Sequence, residues 1–144
     1  MNALPRSVGF LLARTARSMK RALEARLSEH NITATQYIVL EILRERDGVS
    51  LSLLGRKLYF DNPTITGIVD RLERDGLVER RRVADDRRVI NVFLTAKGKE
   101  LAHKTSDIAE AINCEAMDKF SPKQEVELVT MLDTIWQRMN EKAD

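Results

Sequence analysis

The strongest constraint on this chain lies in residues 51–95. A short helical pattern at 51–58 is followed, three residues later, by a second at 62–75, and then by two alternating segments, 77–83 and 89–95. In the second helical pattern Ile65, Ile68, Val69 and Leu72 fall on one narrow apolar stripe. The opposite face carries Pro63, Thr64, Thr66, Gly67, Asp70, Arg71 and Arg74. A helix of this kind is anchored on one side and small and polar on the other. A short helix, a tight turn and such a second helix form a helix-turn-helix, and the alternating strands after it form a hairpin.

Local signals divide the rest of the chain. Residues 7–29 carry Val8, Leu11, Leu12, Met19, Leu23 and Leu27 at helical spacing, with Arg14, Arg17, Lys20, Arg21 and Arg26 on the other face. Thr33-x-x-Gln36 matches a capping box and opens a second helix through Tyr37, Leu40 and Leu43, closed by Gly48. Ser50 or Ser52 caps the helix that ends near Leu58. Asn62 is placed as the N-cap of the next helix, Pro63 as its first residue, and Gly76 lies just past its end. The polar stretch ADDRR is taken as the hairpin turn. Thr95 caps a fifth helix through about Met117, and Ser121-Pro122 starts a sixth, with Val126, Val129, Leu132, Ile135, Trp136 and Met139 on one stripe. The expected fold class is mainly α with a small β-hairpin wing (α+β).

Composition narrows the function. Net charge is only +2, so a nucleic-acid partner must be argued from where the charges lie. Residues 78–88 hold five arginines and three acids. An arginine-loaded hairpin suits a DNA minor groove, where the potential is strongly negative. Asp86 is placed to hold Arg88 extended by a charge-assisted bond. In a helix-turn-helix the second helix enters the major groove, its first residues meeting base edges. A threonine hydroxyl donates or accepts there, and its methyl contacts thymine. The outer face of 62–75 lacks the apolar groups that a winged-helix protein-interaction module without DNA binding would need.

Other chemistries find little support. The motifs P-loop, GxGxxG, HExxH, GxSxG and CxxC are all missing from the sequence, so no enzyme is expected. His30 and His103 are isolated, and neither a metal nor a cofactor is expected. The single cysteine, Cys114, rules out an intrachain disulfide and fits a reducing cytoplasm. Glu110 and Glu115 flank it without a nearby base, which disfavours an oxidant-sensing role. No apolar stretch approaches the ~18 residues of a membrane span, and arginines interrupt the short apolar run near the N-terminus. A cytoplasmic protein with no membrane partner is expected.

The segment LSLLGRKLYFDNPTITGIVDRLERDGLVERRRVADDRRVINVFLTAKG resembles the winged helix-turn-helix core of the MarR family of multiple-antibiotic-resistance regulators. The matching pieces are Thr64-x-Thr66, Val69-Asp70-Arg71-Leu72-Glu73, Gly76-Leu77-Val78, Asp86-Arg87-Arg88, and Leu94-Thr95 with Gly98. The flanking helices match as well, so the resemblance covers nearly the whole chain. It implies one subunit over residues 1–144, with a winged helix-turn-helix DNA-binding region at 33–98 and dimerisation helices at 1–30 and 99–144. It implies a homodimeric regulator, expected to be a repressor, that binds double-stranded DNA at a palindromic operator and is released by a small ligand of aromatic-acid type. The DNA-binding residues would be Asn62, Pro63, Thr64, Thr66, Gly67, Arg71, Arg74, Arg81, Asp86, Arg87 and Arg88. Arg88 would be the wing arginine and Asp86 its supporting acid. Arg14 and Tyr37 are the candidates for effector binding. Two positions depart from the family pattern. Gly67 stands where members often carry arginine or another long side chain, and Gly55 where alanine is common.

Overall fold

Side-chain caps set most of the element boundaries. A computed structural model describes residues 4–141. Helix α1 (Val8–Leu27) starts at Ser7, whose hydroxyl accepts the Phe10 N–H at 3.2 Å. Helix α2 (Ala34–Glu45) opens on the expected box: Thr33 Oγ1 accepts from Gln36 N at 3.2 Å and Gln36 Oε1 accepts from Thr33 N at 2.9 Å. Ser50 caps α3 (Leu51–Leu58), and α4 (Asn62–Arg74) follows after a three-residue turn. Strands β2 (Val78–Val83) and β3 (Asp86–Leu94) form the hairpin. Helices α5 (Ala96–Thr105), α6 (Ile108–Met117) and α7 (Pro122–Asn140) complete the described residues.

Four expectations about boundaries are corrected. The N-cap of α4 is Asp61, not Asn62: Asp61 Oδ1 accepts from Thr64 N at 2.8 Å. Both residue types cap well, but the carboxylate adds a full negative charge at the positive end of the helix. The long helix expected from Thr95 to Met117 is two helices. At the break the Thr105 hydroxyl donates to Leu101 O at 2.9 Å and the Ser106 hydroxyl to His103 O at 2.9 Å, so side chains take up carbonyls at the helix end. Helix α2 ends at Glu45 with Arg46 as its C-cap, and Gly48 follows in a left-handed turn at φ 70°. The hairpin turn is only Ala84–Asp85, because β3 starts at Asp86. A two-residue strand, β1 (Val49–Ser50), also pairs with β3, giving an antiparallel sheet in the order β1-β3-β2. Two residues are too few to show a period of two in sequence.

The core lies between α2, α4 and the sheet. Leu40, Leu43, Leu54, Val69, Leu72, Val78 and Val92 are among its buried members. The start of α5 sits directly on the turn after α4. Thr95 N–H donates to Leu77 O at 3.1 Å and the Thr95 hydroxyl donates to Gly76 O at 2.6 Å. Gly98 permits this approach, since a Cβ there would stand 1.9 Å from Leu77 O. Helix α3 ends differently from α4. Tyr59 occupies its left-handed C-terminal position (φ 56°, ψ 36°), where an L-residue other than glycine costs on the order of 1–2 kcal/mol.

The described residues fall into two units, one through Ile108 and one from Ala109. In the second unit α7 has no buried residue, and Val126, Val129, Leu132, Trp136 and Met139 are exposed. In the first unit α1 buries only Leu27 from its apolar stripe, leaving Val8 and Met19 exposed.

The cap on α4 is testable through pH. Hydrogen bonds from the Thr64 hydroxyl and N–H hold the Asp61 carboxyl below its ordinary pKa of 3.8. A depressed carboxyl stabilises the fold above the unfolded-state pKa and loses that contribution as pH falls through the folded-state value. Asp61→Ala therefore lowers the midpoint of thermal unfolding at neutral pH, while Asn62→Ala leaves the cap in place. The gap between wild type and Asp61→Ala narrows below about pH 4; melting curves from pH 7 to pH 2.5 check this.

Candidate nucleic-acid interface

Helix α4 is held by the stripe that helical spacing assigned to the core: Ile65, Ile68, Val69 and Leu72 are its buried residues. Burying each contributes roughly 1.5–3 kcal/mol, which orients the rest of the helix outward. Asn62, Pro63, Thr64, Thr66, Arg71 and Arg74 are exposed on the other side. Gly67 also opens outward: a Cβ added there would meet nothing within 4 Å. The face thus has a shallow place where an external surface can approach the backbone.

The wing is more structured than a polar turn. Arg82 pairs with Ile90 and Val83 with Asp86, so Arg87, Arg88 and Val89 on β3 have no opposite residues on β2. This is an extended bulge, a device that re-aims side chains. Arg82 Nη1 donates to Arg87 O at 3.1 Å and braces it. Asp86 Oδ1 accepts the Arg88 N–H at 3.0 Å and lies 3.4 Å from Arg88 Nε. The Arg88 side chain is 94% exposed, so the acid steers the guanidinium without covering it. Between this arm and α4 lies a groove of about 300 Å³ lined by Ser50, Ser52, Asn62, Thr66, Arg88 and Ile90, among others.

Alternation along β2 sends successive arginines to opposite faces. Arg81 lies with its guanidinium 4.3 Å from the Phe93 ring centroid and pairs with Glu79. Arg80 points the other way, to α4. Its Nη2 bonds Asp70 Oδ1 at 2.5 Å and Thr66 O at 3.3 Å, its Nη1 bonds Glu73 Oε1 at 3.2 Å, and its backbone N–H donates to Glu73 Oε2 at 3.1 Å. Residues 66, 70 and 73 follow one flank of the helix, so one guanidinium ties about two turns of α4 to the wing. It also neutralises Asp70, an acid on the outer face that would otherwise repel phosphate. Sequence reasoning singled out Arg81 and passed over Arg80. The signal was present: Arg80 shares a strand face with buried Val78.

The remaining candidates lie apart from this surface. Arg14 is exposed on α1, and Tyr37 is 3% exposed in the core. Cys114 is exposed in the second unit, 3.7 Å from Glu110 Oε1. Its thiol pKa is raised by desolvation and then by the Glu110 carboxylate. Among the described residues no cluster of three or more histidine, cysteine or acidic side chains could hold a metal, and no helix is long and apolar enough to cross a membrane.

Comparison with known proteins agrees with this geometry. A model of the MarR family matches residues 32–90. The organic hydroperoxide resistance transcriptional regulator of Bacillus subtilis (strain 168) is 32% identical over 133 residues, 92% of this chain and 89% of that protein. The chain belongs to the MarR family. TtmR of Methylorubrum extorquens (strain PA1), a helix-turn-helix transcriptional regulator, is 38% identical over 95 residues; the match spans 66% of this chain and about half, 49%, of that protein. Among solved structures, a mutant MarR from E. coli complexed with operator DNA aligns with a TM-score of 0.82 at 26% identity, covering 89% of this chain and 92% of that one. The winged helix-turn-helix fold and its class as a DNA-binding transcriptional regulator, not an enzyme, follow from the family.

The Arg80 contact carries a testable consequence. Its side chain is 20% exposed and its loss leaves Asp70 and Glu73 without their shared guanidinium. Arg80→Ala should cost about 1–2 kcal/mol of stability and weaken DNA binding more than Arg81→Ala does. Urea unfolding and fluorescence anisotropy with labelled duplex, run on both variants, measure the two effects.

Proposed function

We propose that this MarR-family chain is a homodimeric repressor that binds a palindromic operator through α4 and the wing and leaves it when a small ligand binds. The observation that carries the DNA-contact assignment is the shared groove between Thr66 and Asn62 on α4 and Arg88 on the bulge. One element is shaped for a major groove and the other, an extended exposed arginine, for the adjacent minor groove. On this reading Asn62, Pro63, Thr64, Thr66, Gly67, Arg71 and Arg74 meet the major groove or its phosphates, and Arg87 and Arg88, steered by Asp86, meet the minor groove. Arg81 contributes through the field of the wing, since its guanidinium is engaged by Phe93 and Glu79.

Dimerisation is supported by the uncovered apolar stripes. Val8 and Met19 on α1, and Val126, Val129, Leu132, Trp136 and Met139 on α7, are exposed in the single chain. A second copy is the occupant whose own matching stripes would cover them. A twofold axis would then set two α4 helices roughly 34–36 Å apart, one turn of DNA, and a palindrome would follow from that symmetry.

Release by a ligand is supported by family membership. The family's effector site would involve the α1–α2 region that holds Arg14 and Tyr37. The name of the B. subtilis relative raises oxidant sensing as a second reading. Cys114 does not favour it, because oxidation proceeds through the thiolate, and desolvation and then the Glu110 carboxylate raise this thiol's pKa.

Arg88→Ala tests the wing. It should weaken DNA binding and lower the log–log salt slope by about 0.9, the share of one phosphate contact. Unchanged affinity and slope in a titration from 50 to 300 mM salt would mean the hairpin does not touch DNA. The effector is tested by a thermal-shift screen of aromatic carboxylic acids and their thioesters against the full-length protein. A true effector raises the unfolding midpoint and releases bound duplex at matching concentrations. Stabilisation without release would place the compound at a site unconnected with DNA binding.

A further inference from the structure

We propose that Arg82 is a positioning residue for the wing: its guanidinium and the Asp86 carboxylate clamp the Arg87–Arg88 peptide from both edges and so aim Arg88 at the minor groove. The proposal rests on the wing being a DNA contact. It starts from one peptide unit. Arg82 Nη1 donates to Arg87 O at 3.1 Å, and the Arg88 N–H donates to Asp86 Oδ1 at 3.0 Å. That carbonyl and that N–H belong to the same peptide bond. Resonance holds the unit planar, with its oxygen and its hydrogen on opposite edges. One bond alone would let the plane swing about the line joining its two Cα atoms. Bonds on both edges stop that motion, and with it the drift of the Arg88 Cα–Cβ direction.

The strand ladder does not supply this restraint. Strands β2 and β3 pair regularly from Val78 with Leu94 to Arg82 with Ile90, and the register then jumps to Val83 with Asp86. Arg87, Arg88 and Val89 lie inside the jump, where a bulge releases the backbone from its pairing. The Arg88 side chain is 94% exposed, so no packing holds it and its direction comes from the backbone beneath. Arg82 is the last β2 residue before the jump. Alternation puts it on the face of β2 that carries Arg80, the face turned to α4. Its choice of partner is informative. Asp85 and Asp86 are close in sequence, yet Asp86 pairs with Arg88, and Arg82 bonds the Arg87 carbonyl. Among the described residues no carboxylate pairs with Arg82. The residue is exposed, so burial gives it no part in the core. What its bond does is order the arm in advance, which lowers the entropy lost when Arg88 enters a groove.

The test is a double-mutant cycle in the full-length chain, with a duplex recovered by selection from a random-sequence pool. Affinity is read by fluorescence anisotropy across a salt series, and thermal unfolding on the same samples. Arg82→Ala should weaken binding about fivefold while Arg88 is present, within the range of coupled neighbours, and leave the unfolding midpoint unchanged. In the Arg88→Ala background the same substitution should cost less than about twofold, with no further change in the log–log salt slope. Equal losses in both backgrounds overturn the proposal. A further slope drop of about 0.9 would then make Arg82 a phosphate contact in its own right, and a lowered unfolding midpoint would make it a support of the fold. Wild-type affinity in Arg82→Ala overturns it as well. So does wild-type affinity in Arg82→Lys, which keeps the charge but not the planar fork, because charge alone would then suffice. Amide hydrogen exchange in the free protein reads the clamp without DNA: Arg82→Ala should speed exchange at Arg88, and an unchanged rate overturns the clamp. If the wild-type chain selects no duplex, or Arg88→Ala binds like wild type, the DNA role of the wing fails instead, and the exchange rate still decides whether the clamp exists.

Discussion

Everything on the outer face of α4 and the wing depends on how α4 is buried. Its apolar stripe of Ile65, Ile68, Val69 and Leu72 is fixed against the core, so the helix cannot rotate without exposing aliphatic area. Each polar residue on the other side therefore has a set direction before any partner arrives. The same rigidity reaches the wing through the turn after α4. Gly76 takes the left-handed position at φ 73°, and α5 presses on Leu77 where only glycine at 98 fits. The start of β2 thus inherits its position from the end of α4.

Charge is arranged to keep that surface usable. The chain is nearly neutral overall, yet the face formed by α4 and the wing contains acids. Asp70 and Glu73 are both engaged by Arg80, and Asp86 is turned inward along the arm to hold Arg88. The acids act as internal ties and leave the outermost positions to Arg71, Arg74, Arg87 and Arg88. A wing with the same composition but different pairing would present a mixed field and a mobile tip. Arginine suits both tasks, since its planar fork binds a carboxylate and a carbonyl at once.

Much of this was legible in the sequence because it depends on local periodicity. The buried stripe of α4, the box at Thr33 and Gln36, the hydroxyl caps at Ser50, Thr95 and Ser121, and the support of Arg88 by Asp86 all involve residues at most a few positions apart. The errors came where two local signals competed. Asp61 and Asn62 are both good caps, and only the chain's path into α4 decides between them. Thr105 and Ser106 sit inside an apolar helical pattern but bond their own carbonyls, which ends α5 early. The role of Arg80 was hidden because its partners lie 7, 10 and 14 residues away across a turn.

The sequence by itself determined the class of the protein: a helix-turn-helix with an arginine wing, small polar residues facing outward, and no catalytic or metal motif. Spacing is enough for this, because a face of a helix or strand is a matter of period. Only the tertiary structure decided which arginine is spent on the fold and which is free to reach outward. Arg80, Arg81, Arg82, Arg87 and Arg88 are chemically identical, and their fates separate through strand alternation, a bulge and contacts with residues distant along the chain. The strained turn at Tyr59 belongs to the same category. A dihedral angle is set by the helices on either side of it, and composition does not record it.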